Sequence, residues 1–164
     1  DNTLVGINTA KPNALVEEAI GNGTISELQG YDTLKREVRY GKNSRIDILL
    51  SGGGKADCYV EVKNVHMLRT RRLYEFPDSV TARGAKHLAE LADMAAAGHR
   101  AVMVYLIQRD DGDRLRFAGE IDPAYAAAFA SAHRAGVEAL AYVCRLTTDG
   151  IEAYRSVPVD VPEG

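Results

Sequence analysis

The chain has 164 residues, of which 46% are hydrophobic and 26% charged, with a formal net charge of −3. This length and balance suit one globular domain with a substantial core, and they exclude a disordered or strongly basic protein. No apolar run approaches the ~20 residues of a membrane span, and no basic–apolar–small leader opens the chain.

Thr3 to Ile7 reads as a short strand or an extended entry. Pro12 suits the first turn of a helix, with Thr9 or Ala10 near the cap. Leu15, Val16, Ala19 and Ile20 fall on one helical face, and Gly21-Asn22-Gly23 ends it. Glu17 and Glu18 flank that face. Thr33 to Tyr40 alternates and predicts a strand. Gly41-Lys42-Asn43 turns the chain into a second strand, Ser44–Leu50. Ser51-Gly52-Gly53-Gly54-Lys55 turns it again into a third, Cys58–Val65. The Gly-Gly-Gly-Lys segment lacks phosphate-loop spacing, Ala56 stands where Ser or Thr is needed, and a strand follows, so it reads as a hairpin turn.

Met67 to Thr81 reads as a long irregular connection holding Arg69, Arg71, Arg72, Tyr74, Phe76 and Pro77. Long loops are often functional, and interleaved Arg, Tyr and Phe suit nucleic-acid contact. The competing expectation, favoured for Tyr74 and Phe76, is that they pack onto the core. A helix follows from about Ala82 to Ala97, with Leu88, Leu91, Ala92 and Ala95 as its buried stripe. Ala101 to Ile107 is uninterruptedly apolar and predicts a central strand covered on both faces. Asp110-Asp111-Gly112-Asp113 lacks the spacing of a calcium loop and reads as a solvated turn. Asp122-Pro123 opens a helix ending near Gly136. Val137–Leu146 and Ile151–Val157 predict a closing hairpin, and Pro158–Gly164 an extended tail. Helices interleaved with a mixed sheet give an α/β class, a mixed sheet flanked by helices. Cys58 and Cys144 lie in apolar strand-like runs without zinc-ligand spacing, so buried free thiols in a cytoplasmic protein are expected.

The chemistry concentrates between Ser44 and Asn64. A strand sends alternate side chains to opposite faces, so Glu61 and Lys63 share one face. Ile46, Ile48 and Leu50 lie opposite Arg45, Asp47 and Leu49. If the two strands pair, Asp47 meets Glu61 and Lys63. Two carboxylates beside an ammonium fit a Mg²⁺ or Mn²⁺ site, with the Val62 carbonyl as a third ligand and Glu17, or less readily Glu18, completing the shell. Lys63 would orient water or stabilise charge on a phosphate. Asp47, Glu61 and Lys63 are therefore the candidate catalytic residues. Glu-x-Lys alone is weak, because alternating strands carry it by chance. Charge is also localised. Residues 35–45 carry a net of +4 and residues 63–86 another +4, which leaves −11 for the rest. A local basic field steers polyanions even on an acidic protein. Candidate nucleic-acid contacts are Arg45, Arg69, Arg71, Arg72, Arg83, Lys86 and His87, and a solvated basic face is the alternative. His66 and His87 lie near the candidate site in sequence, whereas His99 and His133 read as structural or exposed.

A carboxylate-bearing helix, Asp47 on one strand, Glu61-x-Lys63 on the next, then a helix and a buried strand together resemble the restriction-endonuclease-like PD-(D/E)xK nuclease core. Ile46 replaces the proline of that pattern. The strings Pro12-Asn-Ala-Leu-Val-Glu-Glu-Ala-Ile, Ser44-Arg-Ile-Asp, Cys58-Tyr-Val-Glu-Val-Lys-Asn-Val and Phe76-Pro-Asp-Ser-Val-Thr-Ala-Arg-Gly-Ala-Lys-His-Leu are similar to the sugar fermentation stimulation protein A family. Val5-Gly-Ile-Asn-Thr, Gly98-His-Arg-Ala-Val, Ile121-Asp-Pro and Gly136-Val-Glu add to the likeness. The resemblance implies a protein that binds DNA, double-stranded and without sequence preference, and regulates maltose metabolism. It also implies that residues 1–164 form the nuclease-like C-terminal domain, without the family's N-terminal OB-like domain. That fits a chain that opens on Asp1. A homodimer is a candidate assembly, and no membrane partner is expected. Two other functions compete: an active metal-dependent nuclease, and a structural or protein-interaction domain whose Asp47, Glu61 and Lys63 form an ion-paired cluster.

Overall fold

The computed structural model describes residues 12–162; the strand expected at Thr3–Ile7 and the cap expected at Thr9 or Ala10 lie outside them. Helix α1 spans Pro12–Gly21, and a single 3-10 turn follows at Ser26–Leu28. Three antiparallel strands come next, β1 (Thr33–Tyr40), β2 (Ser44–Gly52) and β3 (Lys55–Val65). Two short strands, β4 (Met67–Thr70) and β5 (Leu73–Phe76), precede helix α2 (Ala82–Ala96). Strands β6 (Arg100–Ile107) and β7 (Arg114–Phe117), helix α3 (Pro123–Arg134), and strands β8 (Glu138–Thr147), β9 (Gly150–Val157) and β10 (Val159–Asp160) complete the order. The main sheet runs β1-β2-β3-β6-β8-β9, with parallel pairing on both sides of β6 and antiparallel hairpins at its two edges. It is the expected mixed sheet flanked by helices.

Strand β6 explains why its sequence is apolar throughout. Met103, Tyr105 and Ile107 join a core with Leu88 and Leu91 of α2 and Tyr125 and Phe129 of α3. Val102, Val104 and Leu106 join a second core with Leu15, Val16, Ala19 and Ile20 of α1. Alternate side chains of one strand thus feed both faces, and neither face tolerates a polar residue. Strand β2 departs from the expected alternation. Ile48 and Leu50 pack in the second core, but Ile46 packs in the first. The strand therefore changes the face it presents around Asp47.

The segment expected to be an irregular connection is instead the β4–β5 hairpin, part of a second sheet ordered β10-β7-β5-β4. Its strands are four residues each, too short to declare a period, and β5 is completed by parallel pairing with the distant β7. Tyr74 is fully buried and Phe76 packs on the core, as favoured for these aromatics. The β2–β3 connection is a turn, not a phosphate loop. Gly52, Gly53 and Gly54 all adopt positive φ, and a Cβ on Gly53 would lie 1.9 Å from the Gly30 carbonyl oxygen. Lys55 Nζ donates to the Gln29 carbonyl at 2.8 Å and is not available to a phosphate there. The acids of the Asp110–Asp113 loop each have a partner: Asp110 accepts from Tyr154, Asp111 pairs with Arg109, and Asp113 with Arg72. Cys58 and Cys144 are buried free thiols, and burial pushes their pKa values up to about 11 and about 12. Among the described residues, no helix is long and apolar enough to cross a membrane.

Inside the first core the hydroxyls of Tyr105 and Tyr125 meet at 2.6 Å. Tyr105→Phe leaves the Tyr125 hydroxyl buried without that partner and should cost about 1–3 kcal/mol in urea unfolding. Tyr105→Phe combined with Tyr125→Phe removes both hydroxyls and should recover much of that loss. Additive losses would show that the pair is not mutually satisfied.

Candidate metal centre

The centre is built where two strand pairings part. The β2–β3 ladder pairs Ile48 with Val60, and continuing that register sets Asp47 opposite Glu61. Beyond this point the Asp47 carboxylate replaces a backbone partner: its Oδ2 accepts from Val62 N–H at 2.7 Å. The N–H and C=O of one strand residue point to the same side. The Val62 carbonyl therefore also faces β2, where the ladder has ended. Asn13 Nδ2 of α1 donates to Asp47 Oδ1 at 3.1 Å. Asp47 is thus held from two directions by hydrogen bonds.

Glu61 is held differently. It is 4% exposed, and its Oε1 lies 3.9 Å from Lys63 Nζ and 3.5 Å from His87 Nδ1. Its Oε2 is buried and has no hydrogen-bond partner. Burial, and next the charge of Asp47, push the Glu61 pKa up to about 8, and the close approach of the two carboxyl groups, which share a proton when Glu61 is neutral, adds to this, while Lys63 and then Arg83 pull in the other direction. His87 is 7% exposed, and its Nδ1 also lacks a hydrogen-bond partner. Burial, then Lys63 and Arg83, hold the His87 pKa below its usual value. The Tyr40 hydroxyl is a further buried group without a partner. Its pKa is raised by burial first and then by Glu61, Glu90 and Asp47.

These features fit a hard cation. An unpartnered buried carboxylate oxygen beside a second carboxylate is a standing electrostatic penalty. Carboxylate and peptide oxygens are the donors that Mg²⁺, Mn²⁺ and Ca²⁺ prefer. Among the described residues, no three His, Cys, Asp or Glu side chains converge closely enough to hold a metal. The protein ligands would therefore be two carboxylates and a peptide carbonyl, with water filling the rest.

The centre opens into a cavity of about 530 Å³ lined by Asp47, Glu61, Arg45, Glu37, Arg83, Lys86 and His87, with Asn43 and Ser44 at its edge. Helix α2 supplies one wall, because Arg83, Lys86, His87 and Glu90 follow its three-and-four spacing. Thr81 caps the helix, accepting from Gly84 N–H at 3.0 Å. Glu90 locks the β1–β2 turn to α2: it accepts from Lys42 N–H at 3.1 Å and from the Ser44 hydroxyl.

The fold thus gathers Arg45, Asp47, Glu61, Lys63, Arg83, Lys86 and His87, and it brings the Val62 peptide beside them. Glu17 is half-buried, Glu18 is exposed, and neither lines the cavity. The α1 residue that reaches Asp47 is Asn13, one turn before Glu17. Arg69 and Arg72 lie outside the cavity. Arg69 is bound by Glu75 and Glu120, and Arg72 by Asp113. Arg71 is exposed beside Arg72 at the β4–β5 turn. Of the other histidines, His66 lines a small cavity beside β4 and β5, His99 packs edge-on against Tyr59, and exposed His133 stacks on Phe129. Sequence reasoning missed Asn13, Glu37, Tyr40 and Glu90. Glu37 carried a signal only in its conformation. Its φ of 57° is unusual for a strand residue, and the β1–β2 register sets it opposite Asp47.

Comparison with known proteins gives a consistent likeness. The family model described as "Sugar fermentation stimulation protein RE domain" matches residues 10–150. Sugar fermentation stimulation protein homologs of Brucella ovis and Brucella canis are each 58% identical over 160 residues, covering 98% of this chain and 67% of theirs. The homolog of Brucella melitensis is 57% identical over the same share. Among solved structures, Pyrococcus furiosus SfsA in complex with Ca²⁺ matches with a TM-score of 0.87 at 29% identity, covering 97% of this chain and 68% of that one.

The Glu61 environment makes stability depend on pH in the metal-free protein. Its pKa is raised from 4.5 in the unfolded chain to about 8 in the fold. Between those values the unfolded chain has released a proton that the fold retains, so the contribution of Glu61 is full below the lower value and is lost as pH rises through the upper. Glu61→Gln carries no such proton. Its stability advantage over the native chain should therefore grow between about pH 5 and about pH 8, by an amount on the order of a few kcal/mol. Denaturant unfolding of both proteins in chelator measures this, and a pH-independent difference would contradict it.

Proposed function

The chain belongs to the sugar fermentation stimulation protein family, and on that premise we propose that it is a DNA-binding protein without sequence preference, with a divalent metal held at a nuclease-like site. The observation that carries this reading is Glu61 Oε2, buried and unpartnered beside Asp47. Asp47, Glu61 and the Val62 carbonyl would hold Mg²⁺ or Mn²⁺. The Ca²⁺ complex of the Pyrococcus relative supports a cation of the same oxygen-preferring class. Bound there, the ion would polarise a phosphodiester oxygen and lower the pKa of a water.

The chain's own groups then have distinct tasks. Asn13 and the Val62 N–H orient Asp47. Lys63 and His87 flank Glu61 Oε1, so Oε2 is the oxygen that would be left for a cation. Lys63 would stabilise charge on the phosphate or orient a water. Arg45, Arg83 and Lys86 hold the flanking phosphates of the DNA backbone, which fixes position without reading bases. Regulation of sugar use, maltose use included, would then act through DNA occupancy by the protein in the cytoplasm.

Active cleavage is the second reading, and it is favoured by Lys63, which sits 3.9 Å from Glu61 Oε1 where a lysine aids phosphodiester hydrolysis. Both readings share a test. Calorimetric titration with Mn²⁺ should show saturable binding that Asp47→Asn and Glu61→Gln abolish and Lys63→Met preserves. Incubating duplex DNA with protein and Mg²⁺ or Mn²⁺ then separates the two. Cleavage that disappears in Asp47→Asn and in Lys63→Met makes the protein a nuclease. Saturable metal binding without cleavage leaves a DNA-binding protein with a metal site. Binding undisturbed by the Asp47 and Glu61 substitutions would overturn both.

A further inference from the structure

The basic side chains fall into two groups. Away from the centre, most arginines are engaged by carboxylates, Arg72 by Asp113, Arg100 by Glu138, Arg109 by Asp111 and Arg114 by Asp160, and exposed Arg71 and Arg134 stand singly. On the β1–β2 hairpin the pattern inverts. Lys35, Arg36, Arg39, Lys42 and Arg45 are all exposed, and none forms an ion pair with another described residue. Glu37, the one acid among them, lines the metal cavity opposite Asp47. β1 is also the edge strand of the main sheet, so no further strand covers this edge, and adjacent Lys35 and Arg36 stand on its two faces.

A second cavity of about 350 Å³ continues from the metal cavity. It is lined by Arg39 and Tyr40 and shares Asn43, Ser44 and Arg45 with the first. The hairpin turn carrying both cavities is fixed to α2 through Glu90, so its cations are presented on a rigid element.

We infer that the β1–β2 hairpin is the track along which a polynucleotide backbone runs into the metal centre, so that the site takes a strand extending past it and not a mononucleotide or a sugar phosphate. This rests on the DNA-binding reading above. At ~3.3 Å per strand residue, Lys35 to Arg39 spans ~13 Å along β1, and Lys42 follows in the turn. Duplex DNA advances ~3.4 Å per phosphate along one strand, so the strand part of the row runs beside about four phosphates. An acidic protein partner fits less well. Protein interfaces are anchored by buried apolar and aromatic side chains. The large exposed hydrophobics among the described residues are Val80, Leu146 and Val161, none of them on the hairpin.

The test is a combined variant, Lys35→Ser, Arg36→Ser, Arg39→Ser and Lys42→Ser, which leaves every residue assigned to the centre intact. Fluorescence anisotropy with a duplex of about 20 base pairs, at several salt concentrations, reads affinity and salt slope. The inference predicts roughly a tenfold or greater loss of duplex affinity and a salt slope shallower by ~0.9 for each phosphate no longer neutralised. Arg114→Ser should change neither, and Mn²⁺ affinity at the centre should be unaltered in both variants. Retained duplex affinity and slope in the hairpin variant, with weakened binding in Arg83→Ser plus Lys86→Ser, would overturn the track while sparing DNA binding. A hairpin variant that keeps duplex binding but no longer binds a polyglutamate peptide would assign the face to acidic proteins and overturn it also. Failure of the native chain to bind duplex at all would overturn the functional reading itself.

Discussion

The buried carboxylate of Glu61 beside Asp47 is the constraint on which the rest of the site depends. A buried carboxylate next to a second carboxylate favours its neutral form unless positive charge is supplied. Lys63 and His87 approach only one of its oxygens, and at distances of 3.9 Å and 3.5 Å. The other oxygen is left unpaired in a place where unpaired polar atoms are rare. Asp47 shows the contrast: both its oxygens are engaged, by a peptide N–H and by Asn13. One carboxylate is thus fixed and the other is left in need of a cation.

Everything around this pair serves to keep it in place. β3 is pinned on one side by parallel pairing to the fully buried β6, and on the other it leaves β2 just where Asp47 takes over the Val62 N–H. The α2 helix packs Leu88 and Leu91 into the core. The adjoining face then presents Arg83, Lys86 and His87 to the cavity. Glu90 ties the β1–β2 turn to the same helix. A site on rigid elements with locked supports needs little reorganisation when a charged ligand arrives. Arg45, Arg83 and Lys86 line this cavity without an ion pair to another described residue, which leaves their charge available to a polyanion.

Much of this was legible in the sequence, for identifiable reasons. β1, β2, β3, α2, β6, α3 and the β8–β9 hairpin each carry a clear period, a cap or a stop, and their boundaries fall within a few residues of those expected. Asp47 and Glu61 could be paired because both lie on alternating strands joined by a glycine turn. What escaped was set by tertiary contact. β4, β5, β7 and β10 span four residues or fewer; β5, β7 and β10 are completed by partners distant in the chain, and β4 by pairing to β5. Arg69 and Arg72 looked like free cations because Glu75, Glu120 and Asp113, which hold them, reach them only in the fold. Asn13 reaches Asp47 one turn before Glu17 on the same helix face, so how far α1 is shifted along its axis, which local sequence does not fix, sets which residue meets Asp47. The positive φ of Glu37 left no mark in residue type at all.

The most direct measurement is anomalous diffraction from crystals of the protein grown or soaked with Mn²⁺. The account predicts one dominant peak between the Asp47 carboxylate and Glu61 Oε2, within coordination distance of the Val62 carbonyl, with Lys63 and His87 remaining on the Oε1 side. A map with no peak there at saturating Mn²⁺, and Glu61 Oε2 hydrogen-bonded to a protein group instead, would contradict it.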